Sequence, residues 1–171
     1  SYYVDLRLVP SYPHQFRTMI KYLQNNIAES IGLNSFDSLV SVPTGGLVIA
    51  SALAIEIVKP LIYVRSKPKE YGTSKSVEGQ IYEGMKVVMI DDVATTGGSV
   101  VNAIKSLKEA NITIEDAYVI VNRMEGADEV LKELGVKLHS ITNVMQITQA
   151  LHEQKLVDDD ILEKVRNQFS K

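Results

Sequence analysis

The stretch KVVMIDDVATTGGSVVNAI, residues 86–104, decides the fold of this 171-residue chain. An apolar run ends in Asp91 and Asp92, a short loop of threonines and glycines follows, and an amphipathic run begins at Ser99. A short apolar run bounded by turn residues is typical of a buried strand, and the run after the loop has helical periodicity. The stretch therefore predicts a strand, a tight turn and a helix in direct succession.

The same alternation of short apolar runs and longer amphipathic runs extends over most of the chain. It predicts an α/β fold with a five-stranded parallel sheet flanked by helices, in one domain over residues 1–171. The predicted strands span 37–42, 61–65, 86–90, 116–121 and 136–141. The predicted helices span 16–31, 47–58, 99–110 and 127–134, followed by two C-terminal helices from Asn143 onward. The acidic run at 158–160 indicates capping of the last helix rather than a metal site.

The composition excludes several classes of function. Lysine and arginine number 18 against 21 aspartates and glutamates, and the resulting charge of −3 argues against nucleic-acid binding. The chain has no cysteine, which excludes a disulfide framework and thiolate chemistry. No apolar stretch is long enough to cross a bilayer and no signal peptide is apparent, so we expect a soluble, cytoplasmic protein without a membrane partner.

The turn at 93–99 has the composition of an anion-binding site. At the carboxyl edge of a parallel sheet, the following helix presents unpaired N–H groups and the positive end of its dipole. Gly97 and Gly98 allow close approach of the backbone, and the neighbouring hydroxyls and carboxylates suit a phosphorylated sugar. The alternative is a plain connector, in which the glycines relieve strain and the aspartates cap the helix.

Residues 87–99, VVMIDDVATTGGS, resemble the signature with which type I phosphoribosyltransferases bind phosphoribosyl pyrophosphate (PRPP). The resemblance implies the fold of that family and a Mg²⁺ ion carried by PRPP rather than by dedicated ligands. It implies that Asp91 and Asp92 are catalytic and hold the ribose hydroxyls. It also places the rest of the motif in the PRPP site: Val93, Ala94, Thr95, Thr96, Gly97, Gly98 and Ser99. Within this set, residues 94–99 surround the 5-phosphate.

A second glycine turn lies in SLVSVPTGGLVIASALA, residues 38–54. It also ends a strand and opens a helix, so it predicts another anion pocket at the same edge of the sheet. A simple connector is the alternative. In the resembled family the corresponding turn, here Thr44, Gly45 and Gly46, is the loop that binds pyrophosphate.

The segment RSKPKEYGTSKSVEG, residues 65–79, gathers cations in a chain of negative charge. Residues 66–80 lack both periodicities, which predicts either a solvated loop or a mobile lid over an anionic ligand. The segment resembles the loop of orotate phosphoribosyltransferases through Arg65, Lys69, Tyr71 and Gly72, although Ser66 stands where many members have lysine and Lys67 follows it. The resemblance implies that Arg65, Lys69 and Tyr71 bind PRPP, that Lys69 is catalytic, and that the loop reaches a neighbouring active site in a homodimer.

The base pocket is predicted from two further positions. Arg123 ends the strand candidate DAYVIVNR at the ligand-binding edge, where it is either a carboxylate ligand or a surface residue. In the resembled enzymes such an arginine binds orotate, with Thr95 nearby. The N-terminal SYYVDLR is either an edge strand or a shortened part of the family's substrate hood, in which Tyr2 and Tyr3 approach the base.

Together these features imply an enzyme that transfers the phosphoribosyl group of PRPP to orotate in UMP biosynthesis. Two alternatives remain open at this point. One is a purine-type phosphoribosyltransferase, because the PRPP signature is shared. The other is a regulator that senses PRPP without catalysis.

Overall fold

A computed structural model describes residues 4–65 and 76–168 of the chain. A short 3-10 helix, Leu6–Ser11, precedes the first α-helix. These described residues form the α-helices α1 (Pro13–Ser30), α2 (Gly45–Ile57), α3 (Gly98–Glu109), α4 (Ala127–Glu133), α5 (Val144–Glu153) and α6 (Asp159–Gln168). The strands are β1 (Ser38–Ser41), β2 (Leu61–Val64), β3 (Val77–Glu78), β4 (Lys86–Ala94), β5 (Thr113–Asn122) and β6 (Lys137–Asn143).

The strands form one sheet in the order β3-β2-β1-β4-β5-β6. All neighbouring pairs are parallel except β2 and β3, which are antiparallel. The expectation of five strands was therefore wrong, because the sheet contains six strands among the residues that the structure describes. The additional strand, Val77–Glu78, lies within the stretch 66–80 that was assigned to a loop. Two residues are too few to produce a periodic signal, and their pairing with β2 is a tertiary contact.

Helices cover both faces of the sheet, as the alternation of strands and helices predicted. In β4, Val87 and Met89 pack in the core beneath α3 and α4, whereas Val88 and Ile90 pack in the core beneath α1 and α2. This alternation follows from the two-residue period of a strand. Burial on both faces also explains why β4 is almost entirely apolar before Asp91.

The strands and helices otherwise lie close to their predicted positions, with β4 and β5 longer than expected. At its carboxyl end, β4 extends through the paired acids to Ala94. The carboxylate of Asp158 accepts a hydrogen bond from the N–H of Ile161 at 2.9 Å, which confirms the predicted capping of α6. The N-terminal segment is not an edge strand over its described residues, because Leu6 begins the 3-10 helix. None of the described helices has the length and apolar character that a membrane crossing requires.

Candidate active site

Three neighbouring strands bring the predicted site residues to one edge of the sheet. β1, β4 and β5 are adjacent and parallel, so their carboxyl ends lie side by side. The Thr44 turn follows β1, the turn beginning at Thr95 follows β4, and Arg123 follows β5. The N–H of Arg123 donates to the carbonyl of Ala94 at 2.8 Å, which ties the end of β5 to the start of the Thr95 turn. The tertiary structure thus assembles one site from three separate segments.

The first two turns pack directly against each other. A Cβ atom at position 45 would lie 2.0 Å from Oδ2 of Asp92, and one at position 46 would lie 2.4 Å from Oδ1 of Asp91. Real Cβ atoms do not approach this closely, so only glycine leaves room for the two carboxylates. Gly45 and Gly46 therefore bring the backbone of one turn against the paired acids of the other. The two anion pockets predicted separately from the sequence share a wall.

Asp91 is a buried acid held by local hydrogen bonds. It is 8% exposed, and its Oδ1 accepts from the N–H of Asp92 at 2.9 Å. Asp92 Oδ1 accepts from the N–H of Val93 at 2.9 Å in the same way. Burial, and then the charge of Asp92, raise the pKa of Asp91 to about 7. A carboxyl group that is partly protonated at neutral pH can both donate and accept a hydrogen bond.

Helices α2 and α3 both open on this site without a side-chain cap. Their first N–H groups and positive dipole ends point to the edge where an anion would bind. The Asp91 and Asp92 carboxylates accept from the next residue along the strand and do not cap α3, so the capping role that the connector alternative gave them was wrong. Gly97 has φ +82° and needs glycine, whereas a Cβ on Gly98 would meet nothing within 4 Å. The start of α3 is therefore open space.

Arg65 directly follows β2 at the same edge of the sheet. Its N–H donates to the carbonyl of Ser76 at 2.8 Å, and its Nη1 lies 3.3 Å from Oε1 of Glu78. Strand β3 follows the predicted lid in the chain. It thus lies beside Arg65, which precedes the lid. Sequence reasoning missed Glu78, because a single acid beside a lysine-rich stretch carries no signal of its partner.

Arg123 is mostly buried and paired with an acid two residues away. Its Nη2 lies 2.7 Å from Oε1 of Glu125, and the two side chains are 18% and 24% exposed. The preceding Asn122 is buried, accepts from the N–H of Met124 at 2.7 Å and donates to Asp128 at 2.7 Å. These contacts contradict the surface alternative for Arg123. Sequence reasoning missed Glu125, although an acid two residues after a site arginine was a usable signal.

The remaining predicted residues lie outside the described part of the chain. They are Tyr2 and Tyr3 of the predicted hood and Ser66, Lys67, Lys69, Tyr71, Gly72 and Lys75 of the predicted lid. In residues 4–65 and 76–168, no group of three or more His, Asp or Glu side chains is placed to hold a metal ion.

Comparison with protein families matches residues 14–154 to the phosphoribosyl transferase domain. An orotate phosphoribosyltransferase of Cenarchaeum symbiosum is 49% identical over 164 residues, which are 96% of this chain and 82% of the relative. An orotate phosphoribosyltransferase of Staphylothermus marinus is 38% identical over 99% of this chain and 81% of the relative.

Solved structures show the same relationship. The orotate phosphoribosyltransferase of Aeropyrum pernix has a TM-score of 0.77 and 34% identity, over 88% of this chain and 83% of that one. An adenine phosphoribosyltransferase of Thermoanaerobacter pseudethanolicus has a TM-score of 0.66 at 19% identity, which shows a shared fold alone. On the family match and these relatives, the chain belongs to the phosphoribosyl transferase domain family and, within it, to the orotate phosphoribosyltransferases.

Proposed function

We propose that this chain transfers the phosphoribosyl group of PRPP to orotate. A ring nitrogen of orotate bonds to the anomeric carbon as the bond from that carbon to pyrophosphate breaks, giving orotidine 5′-phosphate and pyrophosphate. This reaction belongs to UMP biosynthesis. The observation that supports it most is the shared wall between the Gly45–Gly46 turn and the Asp91–Asp92 pair, because one ligand with phosphates at both ends would fill both pockets.

The proposed role of each site residue follows from its position at the sheet edge. The open N-terminus of α3, with Thr95, Thr96 and Ser99, binds the 5-phosphate, and the uncapped start of α2 binds pyrophosphate. Asp91 and Asp92 lie between the two helix starts and accept hydrogen bonds from the ribose hydroxyls. Arg123 binds the base beside Thr95. The transition state of such a transfer resembles an oxocarbenium ion, so the protein stabilises charge and holds the reactants and needs no nucleophile.

A Mg²⁺ ion bound to PRPP is part of the proposal. In this proposal PRPP carries the ion, and Asp91 and Asp92, whose oxygens suit Mg²⁺, would contact it only together with the substrate phosphates. When bound, the ion would neutralise charge on the pyrophosphate leaving group. Arg65 and the lid residues Lys69 and Tyr71 are proposed to bind PRPP, with Lys69 stabilising the charge of the departing pyrophosphate.

We further propose that the enzyme is a homodimer in which each lid serves the neighbouring site. Support comes from helix α2, whose apolar residues are not confined to its buried side. Val48 and Ile55 of α2 are 43% and 82% exposed and lie seven residues apart, and Val58, directly after the helix, is 88% exposed. Residues seven apart lie on one side of a helix, and exposed apolar side chains grouped in this way mark an interaction surface.

An ultraviolet assay for the loss of orotate tests the function directly. Adding PRPP and Mg²⁺ to enzyme and orotate should produce a steady fall in orotate absorbance, and omission of PRPP should abolish it. Adenine, guanine and uracil offered in place of orotate should not be consumed. A flat trace with orotate, in protein that still binds PRPP, would contradict catalysis and favour the regulator. The cytoplasmic location and the single-domain organisation stay predictions, which cell fractionation and limited proteolysis would test.

A further inference from the structure

The Arg123–Glu125 pair leaves the arginine incompletely satisfied. Oε1 of Glu125 forms an ion pair with Nη2 at 2.7 Å, yet Nε of Arg123 is fully buried without a hydrogen-bond partner. It is the one buried side-chain nitrogen or oxygen in this condition among residues 4–65 and 76–168. Buried N–H groups of native proteins are almost always paired, and an unpaired one is unfavourable. A ligand that paired with both Nε and Nη2 would therefore satisfy the guanidinium more completely than Glu125 does.

A braced turn delivers Glu125 to the arginine. Asn122 accepts from the N–H of Met124, which adopts a left-handed conformation with φ 58°, and donates to Asp128 in the first turn of α4. Asn122 is itself 7% exposed, so the bracing side chain is part of the core. The backbone directly before Glu125 is therefore held by a side chain of the core.

The pair also lies at the sheet edge to which the proposed function assigns the base. The backbone N–H of Arg123 donates a hydrogen bond to the carbonyl of Ala94, directly before Thr95. Ala94 is the last residue of the strand that carries the paired acids. A ligand joined to the anomeric carbon of a ribose held at Asp91 and Asp92 would reach this corner of the sheet edge. Glu125 thus places a negative charge next to the group proposed to bind the base.

We propose that Glu125 determines base specificity by occupying Arg123 until a base with its own carboxylate displaces it. The inference rests on the proposed function, since orotate is such a base. A neutral base that took the place of Glu125 would break the ion pair without replacing it, which would leave a mostly buried guanidinium without a counter-charge. An anionic base exchanges one ion pair for another and can bind the planar guanidinium through two hydrogen bonds. The displaced Glu125 is 24% exposed, so its charge is solvated after the exchange.

The test is the substitution Glu125→Gln, which keeps the size of the side chain and removes its charge. We expect the KM for orotate to fall by about 3- to 10-fold, because the substrate no longer competes with a charged group. Benzoate, a simple carboxylate, should become a stronger competitive inhibitor by a similar factor. The matched control is Glu129→Gln, which removes the same charge from an exposed position four residues along and should leave both constants unchanged. Arg123→Ala should raise the KM for orotate and abolish competition by benzoate.

Other outcomes separate the two claims. If wild-type enzyme consumes orotate but Glu125→Gln leaves its KM unchanged, or raises it as Arg123→Ala does, the inference is overturned and the function stands. If wild-type enzyme does not consume orotate, both are overturned. Should Glu125→Gln fail to fold by circular dichroism, Glu125→Asp replaces it: the shorter chain retracts the carboxylate from Arg123, and a lower KM is again required.

Discussion

The Cα of Gly45 faces the carboxylate of Asp92 so closely that a Cβ added to the glycine would lie 2.0 Å from Oδ2. This contact joins two turns separated by more than forty residues in the chain. Because Asp92 is proposed to hold a ribose hydroxyl, the absence of a side chain at position 45 sets the geometry of the sugar site. Several measurable consequences follow from this arrangement and from its neighbours.

Gly45→Ala should displace the Asp92 side chain and impair the enzyme without unfolding it. The obstructing atoms at position 45 belong to a side chain, which can rotate away. We expect kcat/KM for PRPP to fall by about 10- to 100-fold, as misplacement of a binding group by roughly 1 Å does elsewhere. Steady-state kinetics with circular dichroism would show this. Full activity in Gly45→Ala would mean that Asp92 does not set the position of the sugar.

Gly98→Ala provides the opposite case, a substitution that disturbs no atom of the protein. A Cβ there meets nothing within 4 Å, so the free energy of unfolding should stay the same or rise by up to about 1 kcal/mol. If the 5-phosphate occupies the start of α3, the added methyl group should raise the KM for PRPP by about tenfold. Thermal denaturation and PRPP titration measure the two effects. An unchanged KM would place the phosphate elsewhere.

Asp91 should make the stability of the ligand-free protein depend on pH. Its pKa in the folded state is raised from 3.8 to about 7, so the folded state binds the proton more tightly than the unfolded chain does. The contribution of Asp91 to stability is therefore fully present below about pH 4 and is lost as pH rises through about 7. Asp91→Asn keeps a hydrogen-bond acceptor for the Asp92 N–H but cannot ionise. Relative to wild type, its melting temperature should rise by a few degrees between pH 5 and pH 8, as measured by calorimetry.

Lys69→Ala should lower turnover while leaving the fold intact. We expect kcat to fall by about 10²- to 10³-fold, since a preorganised cation at a departing pyrophosphate stabilises charge that develops in the transition state. Mixing Lys69→Ala chains with Asp92→Asn chains should restore part of the lost activity if each lid serves the neighbouring subunit. No recovery in a demonstrated mixed dimer would favour action within one subunit.

Ile55→Glu should weaken the proposed dimer. The side chain is 82% exposed on α2, and a charge buried at a helix seam should raise the dissociation constant at least about tenfold. Leu156→Glu is the control, because that leucine is 67% exposed near the start of α6 and belongs to a different surface. Analytical ultracentrifugation should show dissociation of the first variant alone. Equal behaviour of the two variants would exclude α2 as the interface.

The sequence by itself determined the class of fold, most of the strands and helices, and the two glycine turns. These features depend on local periodicity and on turn residues. Both signals extend over about twenty positions or fewer. The placement of Arg123 at the sheet edge followed in the same way, because it comes directly after an apolar strand.

Only the tertiary structure decided how these parts meet. Strand Val77–Glu78 exists because it pairs with β2, the raised pKa of Asp91 comes from burial between two segments, and Gly45 is required by an acid far along the chain. Contacts of this kind depend on distance in space, which a single sequence does not record, and they set the electrostatics of the site.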